Sequence, residues 1–261
     1  MQILTPYIPK EYLAMKINYC RQQLAALPEA VVTKRKIHGK LRDVIVYDTK
    51  CYSVNNPTGK SLCDAIRLRE QFNSELYRLE VLWNCTFKGD PSADIIPRKI
   101  KRRFVGSAGE SVIINASFFD SLKHDSNPYY PEHKTHYYNG TYYRSPAEAE
   151  IARFYTEQGI PFKYEPEIWL NGMHRPVYTD FVILIRELDL CKFHEHFGLK
   201  NSVDYSRKTS TTYNNYSGAG LLPELDVFYT YDTDDAPFDI RSLHTKLNSV
   251  IYDSLLLPPM T

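Results

Sequence analysis

Apolar residues recur along this chain in two rhythms, one suited to helices and one to strands. From Lys10 to Leu27, the residues Leu13, Ile17, Cys20 and Leu24 fall at helical spacing and Pro28 lies beyond the end, which predicts a helix. Val31 to Ile37 and Leu41 to Tyr47 flank His38-Gly39-Lys40 and read as a β-hairpin. A second helix is expected to start near Ser61, with Leu62, Ile66, Phe72, Leu76, Leu79 and Trp83 as its buried face. After the start signal Ser145-Pro146, Ile151, Ala152 and Tyr155 keep helical spacing until Gln158-Gly159 stops them. Three strands are expected next: Phe162 to Leu170, then Val177 to Ile185 after an Asn171-Gly172 turn, then Leu190 to Phe197. The pattern closes with a helix-like run from Val203 to Tyr213, a Ser217-Gly218-Ala219-Gly220 break, a strand from Asp226 to Tyr231, an acidic turn at Asp232 to Asp235 and a helix from Asp239 to Leu255. Strands and helices in this order predict an α/β fold, a mixed sheet flanked by helices, preceded by an α+β part.

Two acids break the apolar rhythm of the central strands. Asp180 stands between Tyr178 and Val182, and Glu195 interrupts the aromatic run of Phe193 and Phe197. A carboxylate in a half-buried strand is costly unless something positive meets it. With Glu148 on the preceding helix, the group that best fits two such acids is a hard divalent cation, magnesium or manganese, which prefers oxygen ligands and is commonly held by one or two carboxylates. The alternatives are ordinary ion pairs, Arg175 for Asp180 and Lys163 for Glu195, and for Glu148 a favourable place in the first turn of a helix, with Glu150 nearby. Glu165, in F-K-Y-E, is read as a plain strand residue, the alternative being an extension of the site from the first strand.

The motifs R-S-x-x-E-x-x-I-A at Arg144 to Ala152, G-I-P-F-K-Y-E at Gly159 to Glu165, T-D-F at Thr179 to Phe181 and E-H-F-G at Glu195 to Gly198 together resemble the PD-(D/E)xK nuclease superfamily, more narrowly a group widespread in Gram-positive bacteria and their mobile elements. The resemblance implies a restriction-endonuclease-like fold and a metal-dependent endonuclease, with a role in phage defence or a mobile element consistent with the group's distribution. It assigns Asp180 and Glu195 as ligands of Mg2+ or Mn2+, and Glu148 as a rim acid that binds a second metal directly or through water. Two positions depart from the pattern. Thr179 replaces a proline, which leaves the neighbouring ligand in place. Phe197 stands where the superfamily usually has a lysine, two residues after the strand glutamate on the same face. Such a lysine orients the attacking water and neutralises charge at the phosphate. Lys208, on the following helix, is the candidate replacement; His196 ranks below it because it should point to the opposite face from Glu195. A nuclease fold that has lost catalysis and serves as a nucleic-acid-binding or assembly protein is the rival reading.

Composition narrows the setting. With 43% hydrophobic and 24% charged residues the chain is an ordinary globular protein, and a formal charge of +1 means that any basic surface must be local. The densest such run is Arg98, Lys99, Lys101, Arg102 and Arg103, expected with Lys163 to contact phosphates without sequence preference, the alternative for the run being a solvated helix face. Five cysteines without paired spacing argue against a disulfide framework or zinc site. No apolar run reaches the roughly 18 residues of a membrane span, and no signal-peptide pattern opens the chain, so a cytoplasmic protein is expected. Two domains are expected: residues 1–125, for substrate contact or for pairing two subunits, and a nuclease-like 126–261. The polar, tyrosine-rich stretch Ser126 to Tyr143 is read as a linker or strand approach, with His124, His133 and His136 on the surface. DNA is the expected partner. Nothing in the residues selects it over RNA, and a homodimer would present one site to each strand.

Overall fold

The computed structural model describes residues 10–37, 39–93, 95, 99–199, 203–233 and 237–255, apart from a few side chains of the 199–208 segment. The chain divides into two compact units, Pro9–Pro97 and a larger one running from Arg98 onward.

The smaller unit is α1 (Lys10–Ala26), a three-stranded antiparallel sheet of β1 (Val31–Ile37), β2 (Lys40–Tyr47) and β3 (Lys50–Ser53), and α2 (Pro57–Thr86). The second helix starts four residues before the expected Ser61. The side chain of Asn56 accepts from Gly59 N at 2.6 Å and Pro57 takes the first helical position, a start in which the missing proline N–H costs nothing. Leu13 and Ile17 of α1 and Leu62, Leu79 and Trp83 of α2 are buried as the spacing requires. Arg69 donates to the carbonyls of Leu24 and Leu27, satisfying the open end of α1.

In the larger unit, a hairpin of β4 (Arg103–Val105) and β5 (Ser111–Ile113) leads to the short helix α3 (Ala116–Ser121). A second hairpin, β6 (His136–Tyr138) and β7 (Thr141–Tyr143), precedes α4 (Pro146–Glu157). Then come β8 (Phe162–Tyr164), β9 (Glu167–Ile168), β10 (Val177–Tyr178), β11 (Phe181–Ile185), β12 (Leu190–Leu199), α5 (Val203–Gly218), β13 (Val227–Thr233) and α6 (Ile240–Leu255). The central sheet has the order β13-β12-β11-β8, parallel between β12 and β13 and antiparallel elsewhere. Six α-helices and several small sheets make a mixed α/β chain among the described residues.

Alternate residues of β12 face two different layers, as the pleat demands. Phe193 meets Phe104, Phe118 of α3 and Tyr216 of α5. His194, on the other face, meets Tyr155 of α4 and stacks on Phe228. Helices therefore cover both sides of β12.

Three expectations change. The boundary near residue 125 moves to 97/98, because the stretch before α3 is bonded to the rest of the larger unit: Ile100 N to Leu188 O between β11 and β12, Val105 N to Ala219 O just after α5, and Cys191 N of β12 back to Ile114 O. Each of two expected long strands is broken in two. Glu165 takes a left-handed backbone (φ 39) before Pro166, which separates β8 from β9, and Thr179-Asp180 separates β10 from β11. The stretch read as a linker or strand approach is resolved in favour of strands: it contains the β6–β7 hairpin, turned at Asn139-Gly140 with both residues at positive φ.

Candidate active site

Asp180 is placed by the ladders on both sides of it rather than inside a strand. Phe181 is registered with His194 on β12 and Tyr164 on β8, so Asp180 lies one step further along, beside Glu195 and Glu165. Its carbonyl accepts from Glu165 N at 3.0 Å, and its carboxylate Oδ2 accepts from His196 N at 2.7 Å. Burial, with the like charges of Glu195 and Glu148, pushes the Asp180 carboxyl well above the ordinary aspartate range.

Glu195 is buried on the face of β12 covered by α5, where the Tyr216 hydroxyl donates to its Oε1. Phe197, two residues on, is buried in a stack with Tyr229, 5.6 Å between ring centres, and Tyr229 stacks in turn on Tyr213 of α5 at 4.7 Å. The position at which a lysine was sought is therefore occupied by an aromatic column. The side chain of Lys208, the candidate replacement, lies outside the described residues.

Glu148 is held at the start of α4. Ser145 caps the helix, accepting from Glu148 N at 3.1 Å, while the Glu148 carboxylate accepts from Tyr164 Oη at 2.6 Å and Arg144 N at 3.1 Å. Burial raises its carboxyl above the usual range against the pull of these donors. Among the described residues, no three acidic, histidine or cysteine side chains stand close enough together to share one metal ion. Glu148 does not join Asp180 and Glu195 in such a group, and Tyr164 and Arg144 hold its carboxylate at the start of its own helix. Asp180 and Glu195 remain as neighbours.

Glu165 corrects the plain-strand reading. It is buried, paired with Arg144 (Nε to Oε1, 2.6 Å) and Lys134 (Nζ to Oε2, 2.8 Å), and its Oε1 also accepts from Asn127 at 2.8 Å. Arg175 and Lys163 do not take the roles weighed for them: among the described residues Asp180 has no cationic partner, and Lys163 places its ammonium 5.1 Å over the Phe119 ring. His196 turns away from Glu195, its Nδ1 2.9 Å from Thr230 Oγ1.

The basic run is divided in its use. Arg102 is committed to the buried Asp226 through a two-pronged contact, Nε to Oδ1 at 2.8 Å and Nη2 to Oδ2 at 2.6 Å, so its assignment to phosphate is withdrawn. Lys99 is exposed and 3.6 Å from Asp189, and Lys101 and Arg103 are exposed. Arg98 lies outside the described residues. Lys192, three residues before Glu195, is fully buried and donates to Leu225 O; burial pushes it down to about 8.

Sequence reasoning missed Tyr216, Tyr164 and the Arg144–Glu165–Lys134 cluster. Arg144 and Glu165 sit within the quoted motifs, which was a usable signal. Tyr216 had none, being one of 21 tyrosines. A depression of about 320 Å3 lined by Tyr155, Lys163 and Arg186 includes none of the three candidate acids. No family model, curated protein or solved structure matches the chain. No helix among the described residues is long and apolar enough to cross a membrane.

Proposed function

We propose that this protein is a divalent-metal-dependent endonuclease that hydrolyses phosphodiester bonds of DNA, built on a restriction-endonuclease-like domain. The observation that carries the reading is the placement of Asp180 beside Glu195, two carboxylates at one level of the sheet, with the Asp180 carboxyl pushed upward by burial and by the neighbouring negative charge. Oxygen donors gathered against their own repulsion suit Mg2+ or Mn2+. Bound there, such an ion would polarise a phosphate and acidify a water. The chain's own contribution is to fix the donors: His196 N holds one oxygen of Asp180, and Tyr216 holds one oxygen of Glu195. Glu148, kept by Tyr164 and Arg144, adds negative charge at the rim. The exposed Lys101 and Arg103 are suited to hold the nucleic-acid backbone. A helix bearing Glu148, then Asp180 and Glu195 on adjacent segments of a mixed sheet, also matches the arrangement that the motif resemblance implies.

The second reading, a nuclease-like domain that binds without cutting, is favoured by Phe197, an aromatic side chain stacked on Tyr229 at the position where the resemblance expects a lysine. One experiment separates the two. Purified protein with manganese is incubated with plasmid and with single-stranded DNA, alongside Glu195→Ala. Cutting that disappears in the variant is the expected result. Binding with no cutting under any metal would leave the second reading in place.

A further inference from the structure

A second concentrated positive surface lies outside the basic run at 98–103, on the β1–β2 hairpin. β3 pairs only with Val44–Tyr47 of β2, so the distal part of the hairpin, residues 34–37 and 40–43, is a two-stranded ribbon with both outer edges open. Seven of these eight residues are exposed, and Ile37 is half-buried. Six are charged, and five of the six are positive: Lys34, Arg35, Lys36, Lys40 and Arg42, against Asp43. The formal charge of the whole chain is only +1, so this is a strong local excess.

The register sorts the charges by face. Cross-strand partners share a face, and successive residues alternate. Arg35 is registered with Arg42, and Ile37 with Lys40, which puts Arg35, Arg42 and Lys40 on one face with no acid among them. Lys34, registered with Asp43, lies on the other face with Lys36 and Leu41. Charges on open edges also discourage edge-to-edge pairing, but either sign serves that purpose. Placing two like-charged arginines directly across from each other is unfavourable for the hairpin itself. A polyanion that met both would turn that cost into affinity.

We propose that the Arg35–Lys40–Arg42 face of this ribbon is a docking surface for double-stranded nucleic acid, contacting backbone phosphates. The charge supplies attraction without sequence preference, and a bare two-stranded ribbon is of a size that the roughly 12 Å major groove of DNA admits. The inference rests on the proposed function only in taking nucleic acid as the polyanion, and it does not use the Asp180 site.

The test is fluorescence-anisotropy titration of the full chain with a labelled duplex of about 25 base pairs in EDTA, where cutting plays no part, at several salt concentrations. Three proteins are compared: wild type, the triple variant Arg35→Ala/Lys40→Ala/Arg42→Ala, and the charge-keeping Arg35→Lys/Arg42→Lys. At about 0.9 in log-log salt slope per phosphate contact, the triple variant should flatten the slope by about 3 and weaken binding at least about tenfold at moderate salt. The charge-keeping variant should retain the slope, and circular dichroism should show all three folded. An unchanged slope in the folded triple variant overturns the proposal, as does a wild type that binds no duplex. It is equally overturned if the triple variant loses binding to phosphatidylserine vesicles while its duplex binding stays intact. Loss of cutting in Glu195→Ala with this binding preserved would separate the failure of one site from that of the other.

Discussion

Asp226 and Asp180 occupy equivalent places, each immediately before a strand of the central sheet and each beside β12, yet their charges are treated in opposite ways. Asp226 is fully buried, gripped by the Arg102 guanidinium and by Leu222 N. Asp180 is half-buried, bonded to the backbone N–H of His196, and stands next to another carboxylate. The first is a closed electrostatic unit that ties the β4 hairpin to the sheet. The second gathers negative charge at a half-buried position. A buried acid by itself therefore says little; what separates these two aspartates among the described residues is that a guanidinium meets Asp226 and another carboxylate meets Asp180.

Breaking the closed unit should have the largest effect. Arg102→Ala strands Asp226 without its partner and is expected to cost about 3–5 kcal/mol, read by urea unfolding. A loss under about 1 kcal/mol would mean that the ion pair does not hold the hairpin. At the other pole the sign should reverse. Asp180→Asn keeps an acceptor for His196 N while removing the repulsion from Glu195, so the metal-free protein should gain about 1 kcal/mol, and metal-dependent cutting should vanish.

Lys192 gives a pH-dependent contrast on the Asp226 side. Burial lowers it to about 8, against an ordinary lysine value of 10.5. Between these values the unfolded chain holds the proton more readily than the folded one, so stability should rise with pH across the window. Lys192→Met, similar in shape and without the ammonium, should remove that rise; an identical pH profile in the variant would show that the lysine is not buried as described. The smallest effect is expected at Lys99, whose exposed contact with Asp189 should be worth less than about 0.5 kcal/mol when Lys99→Ala is compared with wild type.

Much of the fold was legible because helical and strand rhythms are local. α1, α4, β12 and α6 follow the spacing of their apolar residues, and the caps at Asn56 and Ser145 start their helices through a side-chain oxygen. What escaped was non-local or conformational. The left-handed Glu165 that splits a strand leaves no mark in apolar periodicity, and the attachment of residues 99–122 to the rest of the larger unit depends on hydrogen bonds to partners about 75 to 115 residues away, such as Leu188 and Ala219. Within the site, the pairing of Asp180 with Glu195 was readable from acids in apolar surroundings. The capture of Glu148 by Tyr164, and of Arg102 by Asp226, was not, because each depends on a partner that the local pattern does not single out.

The most direct measurement is calorimetric titration of Mn2+ into the wild-type protein and into Asp180→Asn at the same pH. Binding in wild type that is lost or weakened at least about tenfold in the variant is the expected result. Equal binding in both, or binding in neither, would contradict a metal site at Asp180 and Glu195.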